Sequence, residues 1–88
     1  MKIKKGFAKR KIGSRYVVVT TGELSHEMNI IIEMNDTSSD IWDMLEKEMS
    51  IEETAKALAE KYEIPYEKAL SDTKTLVEKM QETGIFES

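Results

Sequence analysis

Eighty-eight residues, 40% of them apolar and only one a proline, describe a single small globular domain spanning residues 1–88, one that buries only roughly 60–65% of its unfolded surface. The chain has no cysteine, which excludes a disulfide framework and a thiolate metal site and favours a reducing, cytoplasmic setting. The formal net charge of −4 is unevenly spread: residues 1–15 hold seven basic side chains and no acid, and the remainder carries an excess of eleven negative charges. The basic start lacks the apolar run of a signal peptide, and no stretch approaches membrane-spanning length.

Phe7 to Ile12 alternates apolar and basic residues loosely, and Gly13-Ser14 then supplies a two-residue turn suited to a hairpin. Tyr16-Val17-Val18-Val19-Thr20 is β-branched or aromatic throughout, the composition of a strand with two partly covered faces. Thr21 to Glu27, with Gly22, is polar and reads as a loop. In the third strand, Met28, Ile30, Ile32 and Met34 share one face while Asn29, Ile31 and Glu33 share the other. Three short strands joined in this way predict an antiparallel meander.

The second half is helical. Asn35, Asp36 and Thr37 are all good caps, and Ile41, Trp42, Leu45 and Met49 form the inward stripe of the first helix. Ser50 and Glu53 have the spacing of a capping box, followed by the stripe Ile51, Ala55, Leu58 and Tyr62. Ile64-Pro65 interrupts the pattern, because the residue before proline is pushed out of helical geometry. The third helix is expected over 66–83, with Ala69, Leu70, Thr73, Leu76, Val77 and Met80 inward and Gly84 as a left-handed stop. Three strands followed by three helices make a winged-helix-like α+β arrangement.

Residues suited to bond-making chemistry are scarce. His26 is the sole histidine and sits in a polar loop without a second ligand, so no metal site is expected. The carboxylates lie on helix faces opposite the apolar stripes, with Asp72 the exception beside the inward arc. No glycine-rich phosphate loop occurs, so neither an enzymatic role nor a cofactor is expected. A DNA-binding winged helix is the alternative reading, and it requires a basic helix to neutralise phosphates. The third helix sets Lys68, Lys74 and Lys79 against Glu67, Asp72, Glu78 and Glu82; the second sets Lys56 and Lys61 against Glu52, Glu53, Glu60 and Glu63. Only the basic first strand, around Lys9, Arg10 and Lys11, suits a duplex, and nucleic acid is therefore not the expected partner.

From residue 28 onward the order of motifs is more specific. An apolar strand ends in Met34-Asn35; Thr37 and Ile41-Trp42-Asp43-Met44-Leu45 follow, and Ser50-Ile51-Glu52-Glu53 opens the next helix. After Leu58-Ala59-Glu60-Lys61-Tyr62 and Asp72 come Leu76-Val77 and Gly84-Ile85-Phe86. This succession resembles the PqqD-like family, the recognition domains of pathways that make ribosomally synthesised, post-translationally modified peptides. The resemblance implies a non-catalytic peptide chaperone that binds the leader segment of a precursor peptide. It also implies presentation of that peptide to a modifying enzyme, often of the radical S-adenosylmethionine (radical SAM) type. It further implies that the leader adds as a strand on the third strand, at Asn29, Ile30, Ile31, Ile32 and Glu33. Across the groove the expected contacts are Leu70, Lys74, Val77 and Gln81 of the third helix. Members serving pyrroloquinoline quinone synthesis tend to carry a Pro-Glu-Gly-like stretch where this chain has Thr20-Thr21-Gly22-Glu23, and another modified peptide fits equally well. A monomer or weak homodimer is expected, with no membrane partner.

Overall fold

A computed structural model describes residues 2–20 and 30–87, apart from the side chains of Ile30 and Ile31. The loop expected over 21–27, His26, Met28 and Asn29 lie outside the described residues. Strands β1 (Phe7–Ile12), β2 (Arg15–Thr20) and β3 (Ile30–Met34) are followed by helices α1 (Asp36–Glu46), α2 (Ile51–Tyr62) and α3 (Tyr66–Thr83). This is the α+β order expected from the periodicities.

The β1–β2 hairpin is closed by Gly13-Ser14 between paired Ile12 and Arg15. Gly13 sits at φ 62° while Ser14 stays out of the positive region, so glycine occupies the one turn position that a side chain disfavours. The sheet order is β1-β2-β3, antiparallel throughout. On β3 the register is irregular: Val18 faces Ile32 and Val19 faces Ile30, so Ile31 has no counterpart on β2. The unbroken alternation expected from Met28 to Met34 therefore does not hold, because a bulge inserts one residue and bends the strand.

Each helix start follows from a local donor-acceptor match. Asn35 caps α1, its side-chain oxygen accepting from the Ser38 N–H at 2.8 Å. Ser50 and Glu53 form the reciprocal capping box of α2, both bonds at 3.0 Å. Pro65 precedes α3, and Gly84 ends it at φ 78°. The helix α2 ends on Glu63 in the left-handed region at φ 53°, a place that glycine would fill with less strain.

One core joins the layers: Val18, Ile32 and Met34 from the sheet, Ile41, Trp42 and Leu45 from α1, Ala55 and Leu58 from α2, and Ala69, Leu76, Val77 and Met80 from α3. Most of the expected stripes are buried. Met49, however, is only half-buried and lies beyond the end of α1, and Leu70 is half-buried at the margin of the core. The two ends of the chain also meet. Ile3 pairs antiparallel with Phe86, the Lys4 N–H donates to the Ile85 carbonyl and the Glu87 N–H to that of Lys2, both at 2.8 Å.

The basic first strand is not a uniformly free surface. Alternation places Lys9 on the same side as Phe7, towards α1. Its ammonium donates to Asp43 Oδ1 and to Ser39 Oγ, each at 2.6 Å, and lies 5.1 Å from the Tyr16 ring centroid. Lys9 is thereby a tie between the outer strand and α1.

Candidate functional site

Among the described residues β3 pairs with β2 alone, so its other margin presents unpaired backbone groups. Beside the end of that margin runs an open groove of about 560 Å³. Its strand-side wall is Glu33 of β3 with Asn35, Thr37 and Ser38 at the start of α1. One end is closed by Tyr62 and Ile64, where α2 hands over to α3, and the far wall is the flank of α3 bearing Lys68, Asp72, Thr75, Leu76 and Lys79.

The geometry follows from the helical pattern. Ala69, Thr73, Leu76, Val77 and Met80 are buried and form a stripe down the middle of α3's inner side. Such a stripe has two flanks. Lys68, Asp72, Thr75 and Lys79, spaced four, three and four, make up the one that turns towards β3. Leu70, Lys74 and Gln81 lie on the other.

Of the strand residues singled out in the sequence, Ile30, Ile31, Ile32 and Glu33 all belong to β3, with Ile32 buried in the core and Glu33 exposed at the groove rim. The third-helix residues are placed differently. Val77 is buried, Leu70 and Lys74 border a shallow depression with Glu67 and Glu78, and Gln81 is exposed; none of the four lines the groove beside β3. The structure therefore brings β3 together with the opposite flank of α3. Asp72, the carboxylate that the sequence set apart from the helix-face charges, is part of it.

Electrostatics in the groove are modest. Glu33 pairs with Arg15 at 3.5 Å and Asp72 with Lys68 at 3.9 Å, both pairs well exposed. At the closed end, the Tyr62 hydroxyl donates to Asp40, which also meets Lys61 at 2.9 Å. Partial burial of Asp40 opposes its charged form, but the hydrogen bonds from Tyr62 and Lys61 outweigh it and hold the carboxyl below its usual range. The same bond to Asp40 pushes the Tyr62 hydroxyl up to about 12. This contact spans α1 and α2, 22 residues apart, and fixes the ring that closes the groove. No local sequence rule points to it.

Among the described residues no group of three or more His, Asp or Glu side chains is disposed to hold a metal ion, and no helix is long and apolar enough to cross a membrane. What the described residues offer is a strand edge without a partner among them, a bordering groove with Leu76 and Ile64 as its apolar lining, and charged rims.

These features define a small α+β domain with an open groove beside a strand that, among the described residues, is paired along one edge only. The model of the family described as coenzyme PQQ synthesis protein D (PqqD) matches residues 23–85, and the chain belongs to that family. Its fold is also that of TbiB1, solved in complex with the TbiA(beta) leader peptide: the TM-score is 0.78 at 18% identity, over 100% of this chain and 96% of the other. No curated protein matches the chain.

Proposed function

We propose that the chain is a peptide-binding adaptor. The leader segment of a ribosomally made precursor docks as an added strand on β3, lying in the groove between β3 and α3, and the adaptor presents it to a modifying enzyme of the radical SAM type. The observation that carries this reading is the margin of β3 left unpaired among the described residues, beside a groove on α3. Membership of the PqqD family and the leader peptide held by TbiB1 support it.

The energetics set the requirements for such a guest. A five-residue strand turns roughly half of its backbone groups outward, which offers about five hydrogen bonds. At about 0.5–1.5 kcal/mol net each, these contribute roughly 2.5–7.5 kcal/mol before the guest's ordering is charged against them. Micromolar binding needs about 8 kcal/mol. Side-chain burial in the groove must therefore supply the remainder, and with it the selectivity.

The test is a titration of fluorescent leader peptide, its sequence taken from a short precursor frame sought among the neighbouring genes. Lys68→Trp obstructs the groove from an exposed position and is expected to weaken binding at least about tenfold, roughly 1.4 kcal/mol. Lys74→Trp, an equal change on the other flank, leaves it unchanged. The reverse pattern would move the guest to the Leu70–Lys74 side, and no binding by the parent chain would refute the adaptor reading. The DNA-binding alternative is addressed by a gel-shift assay at low salt. With Lys9 engaged by Asp43, the basic strand has one cation fewer to offer a duplex.

A further inference from the structure

The two carboxylates that line the groove are each matched by a cation, Glu33 by Arg15 and Asp72 by Lys68. Lys79 lines the same groove, is exposed, and has no carboxylate partner among the described residues. One unmatched positive charge is thus left facing the space beside β3, in a chain whose residues beyond position 15 are strongly acidic.

An apolar site adjoins it. Leu76 lines the groove and precedes Lys79 by three residues, a rise of about 4.5 Å along the helix. A guest in extended conformation places side chains of one face about 6.6 Å apart. A lysine stem spans the difference, so an apolar side chain over Leu76 leaves the next same-face position within reach of the Lys79 ammonium.

Resting on the docking reading above, we infer that the groove selects a guest strand with an acidic side chain opposite Lys79, two residues from a large apolar one seated on Leu76. Lys79 is then the charge-selecting residue of the site, and an uncharged or basic residue at that guest position is disfavoured. Pairing at so exposed a rim is weak, and the preference expected is roughly two- to fivefold.

A displayed library of random decapeptides, selected against the immobilised full chain, tests this whatever the sequence of the natural leader. The parent chain is expected to enrich Asp or Glu two positions from a large apolar residue. Lys79→Glu is expected to replace that enrichment with Lys or Arg, whereas Lys74→Glu, an equal change of net charge on the opposite flank, retains the acidic preference. Circular dichroism checks that both variants, altered only at exposed positions, keep the fold. Identical selections from the parent and Lys79→Glu, or equal loss of the acidic preference in both variants, overturn the inference. The amides of residues 30–34 separate the two ways of failing. If the selected peptides shift them without an acidic preference, only the role of Lys79 falls; if they leave them unmoved, strand docking falls with it.

Discussion

Replacing Lys9 by Met, which keeps the aliphatic stem and removes the charge, isolates the tie between the outer strand and α1. The Lys9 side chain is 17% exposed and its ammonium donates at 2.6 Å to Asp43 and to Ser39 Oγ, while the Asp43 side chain is 48% exposed. The Coulombic attraction at that distance is roughly 6 kcal/mol at an effective dielectric of 20. Desolvation of the lysine and screening at the half-exposed carboxylate remove most of it, leaving a coupling of about 1 kcal/mol. A double-mutant cycle with Asp43→Asn, read by urea unfolding, reports that coupling directly. With a urea slope of about 1 kcal/mol per molar for a chain of this size, Lys9→Met lowers the midpoint by roughly 1 M. The same substitution with Asp43 already neutralised lowers it much less. A coupling below about 0.3 kcal/mol would refute the argument and return Lys9 to the free basic surface.

The Asp40–Tyr62 contact gives a pH signature. A depressed carboxyl contributes stability that is present above its unfolded value of 3.8 and is lost as the pH falls below it. A raised phenol contributes stability that is complete below 10.0 and is lost between there and about 12. Tyr62→Phe is expected to lower stability by about 1 kcal/mol near neutrality and to flatten both edges of the stability–pH curve; an unchanged curve would contradict the assignment. Gly84→Ala meets no atom within 4 Å, so its expected loss of about 1 kcal/mol is purely that of a left-handed backbone, seen as a melting point lower by about 5 °C. Glu63→Gly, at the other left-handed helix end, is expected to raise stability by about 0.5 kcal/mol, part of the relief being offset by a looser unfolded chain.

How far the sequence reaches is clearest on α3. Its span, its buried stripe and its glycine stop are written in a 3.6-residue period and one left-handed residue. Which flank faces β3 is not, because a stripe is symmetric about its own axis and only the path of the chain through α1 and α2 breaks that symmetry. Leu70 is an apolar residue beside the stripe and so suits a groove wall, yet it packs at the margin of the protein's own core. The polar series Lys68, Asp72, Thr75 and Lys79 has equally regular spacing and resembles an ordinary solvated face. Lys9 illustrates the opposite case: strand alternation alone puts it on the side of Phe7, towards the helices, and its charge obscured that signal. The bulge at Ile31 and the Asp40–Tyr62 contact depend on pairing between distant segments, which no local pattern encodes.

Hydrogen exchange on the full chain with and without leader peptide tests the central claim most directly. Strand addition on β3 slows exchange of outward-facing amides within Ile30–Met34 and shifts the resonances of Lys68 and Lys79, but not those of Leu70, Lys74 or Gln81. Protection confined to β1, or a bound peptide that leaves β3 exchanging as before, would contradict it.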